Sequence, residues 1–70
     1  MDTFGNRLRK ARTKAMYSRT EVEIELGLEP GYIGKLECEM VLPEMCLVKR
    51  LAKLYQVDVN WLCMIGEKGE

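Results

Sequence analysis

The chain contains no histidine, which removes the side chain most used as a base near neutral pH and as a neutral metal ligand. Its three cysteines, Cys38, Cys46 and Cys63, are odd in number and form no close pair, so neither a disulfide framework nor a zinc site is expected. They read as free thiols in a reducing compartment, with Cys46 and Cys63, both in apolar stretches, as small core hydrophobes. No nucleophile is paired with a base and no glycine-rich loop could cradle a phosphate. Seventy residues also enclose little volume for a pocket. An enzyme, a metal, a cofactor and a small-molecule substrate are therefore not expected. No apolar run reaches the length of a membrane span, and Met1-Asp-Thr-Phe4 lacks a basic segment followed by an apolar one. The expectation is a cytoplasmic protein with no membrane partner.

An excess of charge of either sign is also lacking: eleven Lys and Arg balance eleven Asp and Glu. The sum hides a partition. Residues 1–19 hold six cations against Asp2, a net +5, and residues 20–46 hold Lys35 against seven glutamates, a net −6. The remainder is close to neutral at +1. Nearly half of the residues are hydrophobic, enough for a core, and the economical way to build one from a chain this short is an all-α bundle. One domain over residues 1–66 is expected, with 67–70 as a frayed tail.

Two short helical patterns separated by Gly27 organise the chain. Ser18 with Glu21 three residues on is a capping box, and Tyr17 and Val22 have the spacing of a hydrophobic staple. Gly27 offers the left-handed backbone that closes a helix, and Pro30 suits the first turn of the next. Glu29 is its expected cap, with Leu28 and Ile33 as a second staple. The pair reads as a helix-turn-helix. Before it, Phe4, Leu8, Ala11 and Ala15 recur at helical spacing, with Arg7, Arg9, Lys10 and Lys14 on the wet side. After it, a fourth helix should bury Leu47, Val48, Leu51, Ala52 and Leu54, and Asp58 should cap a fifth that returns Trp61, Leu62 and Ile65 to the core. The five helices are expected at about 3–15, 19–26, 30–38, 44–55 and 59–65.

In order along the chain, Phe4-Gly-x-Arg-Leu-Arg9, Ser18-x-x-Glu21, Leu26-Gly27-Leu28, Tyr32-Ile33, Leu36-Glu37, Pro43, Leu51-Ala52, Val57 and Trp61-Leu62 resemble the lambda-repressor-like family, the phage repressor and Cro type also called XRE. The resemblance spans nearly the whole sequence. It implies a compact five-helix DNA-binding domain with the helix-turn-helix as its second and third helices. It also implies a structural ion pair between Arg12 and Glu37. Double-stranded DNA is the implied partner, met by Arg19, Thr20, Pro30, Gly31, Tyr32, Gly34 and Lys35, with the recognition helix of about 30–38 in the major groove. The chain departs from the family at several of these positions. Arg19 stands where glutamine is usual, Glu23 where a small alanine packs between the helices, Glu29 where serine caps, and Glu39 where a turn glycine is usual. Of the base-reading positions only Lys35 keeps a donor.

Two functions of different class follow. The first is a transcriptional regulator of phage or prophage type, a repressor-like DNA binder that works as a homodimer on half-sites. The second is a protein-binding module on the same fold, of anti-repressor, anti-activator or DNA-mimic type. Its surface would be Glu29 and Glu39 on the acidic helix-turn-helix and the apolar loop Met40-Val41-Leu42. Met64 and Ile65, beside Trp61, are the expected dimer surface.

Overall fold

Thr3 opens the first helix, α1 (Phe4–Lys14), by accepting the Asn6 amide proton on its hydroxyl at 3.2 Å. Residues 3–63 are described in the computed structural model. They form five α-helices and, among the described residues, no strand. Leu8 and Ala11 of α1 face the core, as their spacing requires. Gly5 is buried where α1 crosses the end of a later helix, and a Cβ there would overlap the main-chain oxygen of Glu37. Arg7 departs from the expected wet face and is buried. Its guanidinium lies 5.0 Å from the centroid of the Trp61 ring and donates to the Trp61 carbonyl.

The second helix, α2 (Arg19–Leu26), starts with the capping box that Ser18 and Glu21 announce. The Glu21 amide donates to the Ser18 hydroxyl at 3.0 Å, and the Ser18 amide donates to the Glu21 carboxylate at 2.7 Å. Gly27, at φ 70°, ends it in the left-handed region. The third helix, α3 (Tyr32–Glu37), is shorter than the sequence suggests. Gly31, at φ 90°, is its N-cap, so Pro30 and Gly31 lie outside it, and Cys38 is its C-cap. Glu29 is therefore not the cap. Its carbonyl accepts the Tyr32 amide instead, which takes Leu28 out of the register of a second staple.

The fourth helix, α4 (Met45–Tyr55), and the fifth, α5 (Val59–Cys63), complete the bundle. Leu8, Val22, Ile33, Leu36, Leu51 and Leu62 are the most deeply buried side chains, so every helix contributes to one core. Three expectations about burial fail here. Cys46 is exposed, because it shares a helical face with Arg50 and Lys53 and not with Leu47 and Leu51. Leu54 is only half-buried, and Tyr55 fills the core position instead. Trp61 stays partly exposed over Arg7. Ile65, the expected boundary at residue 66 and the tail 67–70 lie outside the described residues. No helix of the described residues is long and apolar enough to cross a membrane.

Candidate nucleic-acid interface

Glu37, the last residue of α3, has a side chain that is 1% exposed, and such a carboxylate must be matched by cations and donors. Two arginines do this. Arg12 of α1 donates from Nε to Oε2 at 2.7 Å and from Nη2 to Oε1 at 3.3 Å, and its Nη1 donates to the Tyr17 carbonyl at 2.8 Å. Arg19 of α2 donates from Nε to Oε1 at 3.0 Å. The hydrogen bonds it donates to Glu37 hold the Arg12 guanidinium above its ordinary pKa, against the opposing pull of burial. One carboxylate thus ties α1, α2 and α3 together. The resemblance supplies Arg12 as a partner for Glu37; it does not supply Arg19, which it assigns to DNA. Close by, the Tyr55 hydroxyl is buried with no hydrogen-bond partner among the described residues. Burial first, and then the Glu37 charge, push its pKa up.

Glu23 poses the same problem one turn into α2, where it is 6% exposed. Its carboxylate accepts the Gly31 amide at 3.0 Å and the buried Ile33 amide at 3.1 Å through the same oxygen. These are two of the unpaired donors that a helix start leaves open, and Gly31 has no side chain to satisfy them. Glu23 therefore caps α3 from the neighbouring helix, at the position where the resemblance implies a small alanine. No side-chain spacing marks this role, because both of its partners are main-chain amides.

Glu39 takes up the left-handed backbone that the family's glycine would occupy, at φ 58°. Its carboxylate accepts the Gly5 amide at 2.9 Å, which ties the chain after α3 to the first turn of α1. The residue as a whole stays exposed. Neither this bond nor the Gly5 contact could be inferred from spacing alone, because both join groups more than thirty residues apart.

What remains exposed around α3 is small. Lys35 is exposed, as are Thr20 in the first turn of α2, Pro30 and Gly31. Tyr32 and Gly34 are half-buried. Arg19 keeps 45% of its side chain exposed and lies along α3, with Nη1 3.5 Å from the place a Cβ on Gly34 would take. Arg19 is thus next to Gly34, the residue that precedes Lys35, and its two terminal nitrogens are not used by Glu37. Glu29 is exposed at the other end of α3.

The apolar loop divides. Val41 folds back onto the core, whereas Met40 is 71% and Leu42 92% exposed. Beside them a groove of about 410 Å³ runs between Phe4, Met45 and Cys63. Met64 and Ile65 lie outside the described residues. Among the described residues no group of three or more Cys, Asp or Glu is placed to hold a metal ion. No protein-family model matches this chain, and no curated protein matches it either.

Proposed function

We propose that this chain is a DNA-binding transcriptional regulator of the lambda-repressor-like type, with α2 and α3 as its helix-turn-helix. The observation that carries this reading is the position of Arg19. It stands at the start of α2, is oriented by Glu37 and lies over Gly34, the residue before the exposed Lys35 of α3. A guanidinium whose Nε is fixed by a carboxylate presents its terminal nitrogens in a set direction, which suits a phosphate oxygen. Of the base-reading positions Lys35 alone carries a side chain able to donate to a base edge, and the exposed Gly31 lets the backbone approach closely. One reading lysine per domain gives little discrimination, and a homodimer on two half-sites would double it.

Titration of fluorescent duplexes drawn from a randomised pool tests this. Arg19→Ala should weaken binding to all sequences alike, while Arg12 keeps Glu37 paired and the fold intact. Lys35→Ala should flatten preference at one base position by about 1–3 kcal/mol. A Lys35 variant with unchanged preference removes that lysine from the reading set.

A second reading is favoured by Met40 and Leu42, whose exposure is unusual for large apolar side chains in a loop. On it the fold serves a protein partner, and changing Met40 and Leu42 to serine would release that partner without altering the affinity for DNA.

A further inference from the structure

The charge partition of the sequence becomes, in the fold, two faces that complement each other. On α1, Lys10 and Lys14 are exposed and one turn apart, and with Ala11 they form one wall of a groove of about 400 Å³. The other wall is Val57, Asp58 and Trp61, so the groove is apolar inside and basic on its α1 rim. The Asp58 carboxylate is occupied by the Asn60 amide at 2.7 Å. On α2, Ile24 is 77% exposed, which leaves a branched aliphatic side chain projecting into solvent from the middle of a helix. Glu21 and Glu25, both exposed, form a ridge along one side of it.

These two faces match in polarity and spacing. The groove has room for an isoleucine beside its basic rim. The two carboxylates are four residues apart on one helix and the ammonium groups four apart on another, so both pairs are separated by about 5–6 Å at their Cβ atoms. Lys10, Lys14 and Glu25 make no ion pair among the described residues, so these charges are available. We propose that the occupant of the groove is a second copy of this chain, which inserts Ile24 between the helices with Glu21 and Glu25 against Lys14 and Lys10. The contact uses two different surfaces of one molecule. It is therefore heterologous, and repeats head to tail unless its rotation closes a ring. Net neutrality favours it, because no overall repulsion opposes close approach. The inference needs no DNA and stands apart from the proposed function.

Light scattering on the full chain without DNA tests it. In low salt the mass should rise with concentration past that of two chains. It should fall to the single-chain 8.1 kDa in about 1 M salt, where the Debye length is about 3 Å. Ile24→Ser and the pair Lys10→Glu with Lys14→Glu should each be single chains in low salt. All three changes are on exposed side chains, and far-ultraviolet circular dichroism verifies that the variants remain helical; Glu25→Lys is a second variant of the projecting face. Mixing the Ile24→Ser chain with the lysine double variant should give a 1:1 complex that grows no further, because one keeps a working groove and the other a working isoleucine. Wild-type protein that stays a single chain at about millimolar concentration, association that stops at two copies, or a mixture that does not pair would each overturn the proposal.

Discussion

At its C-terminal end α3 meets two arginines and the first turn of α1, whereas at its N-terminal end it meets one carboxylate from α2 and then solvent. The crowded end is where the sequence looks least suited to a polyanion, with Glu37 and Glu39 close together. Yet both charges have partners within the fold. Glu37 is neutralised by Arg12 and Arg19, and Glu39 is engaged by the Gly5 amide. At the open end Glu23 is likewise buried and engaged, and only Glu29 stands exposed. Most of the acidic character of α2 and α3 thus serves folding. A charge count over a segment says little about the field outside it until the partners of each carboxylate are known.

The comparison can be broken most severely at the crowded end. Glu37→Ala leaves Arg12, whose side chain is 14% exposed, without its counter-charge. Removing one partner of a buried pair costs about 3–5 kcal/mol, as much as the whole stability of a marginal domain. Thermal denaturation followed by circular dichroism should show no cooperative transition. A variant that melts like the wild type would mean that Glu37 does not join the three helices.

At the open end the loss should be smaller. Glu23→Ala strands the Gly31 and Ile33 amides, and only the second is buried, so a cost of about 2–3 kcal/mol is expected from urea titration. Glu23→Gln keeps an acceptor and should lose less.

Tyr55 sharpens the contrast between inside and outside through pH. Its folded pKa is raised above the ordinary 10, so the folded state holds the phenolic proton more tightly than the unfolded chain. That contribution is fully present below pH 10. Above it the unfolded state loses the proton first, and stability should fall by up to about 1.4 kcal/mol per pH unit until the folded pKa is reached. Tyr55→Phe should flatten this alkaline slope in denaturation curves collected at a series of pH values.

The two helical glycines differ in the same way as the two ends of α3. Gly5 cannot accept a Cβ against Glu37, whereas a Cβ on Gly34 would meet Arg19 at an ordinary contact distance. Gly34→Ala should therefore stabilise the domain by about 0.5–1 kcal/mol, read as a higher melting temperature, with Gly5→Ala acting in the opposite direction.

The features legible in the sequence were those carried by short spacings. The Ser18–Glu21 box, the Gly27 stop, Leu8 and Ala11 of α1, and Leu47, Val48, Leu51 and Ala52 of α4 depend on neighbours within two turns, and they appear where the pattern puts them. The start of α3 was misjudged because Pro30 is permitted in a first helical turn, while Gly31 at positive φ delays the helix by two residues. The roles of Arg7, Glu23 and Glu39 were hidden for a common reason: their partners are main-chain groups or a ring on another helix, and such groups leave no mark on the pattern of side chains. Of the candidate site, the pairing of Glu37 with Arg12 came through family resemblance. The sharing of that carboxylate with Arg19 needed the packed helices.

The central claim is that Arg19 and Lys35 meet duplex DNA. The most direct test is the salt dependence of binding to a nonspecific duplex, measured by fluorescence anisotropy for the wild type, Arg19→Ala and Lys35→Ala. Each phosphate neutralised contributes about −0.9 to the slope of log affinity against log salt. The wild type should show a shallow negative slope, and each variant should reduce its magnitude by about one contact. Wild-type protein with no measurable affinity for duplex even at low salt, or a slope that neither variant changes, would contradict the account.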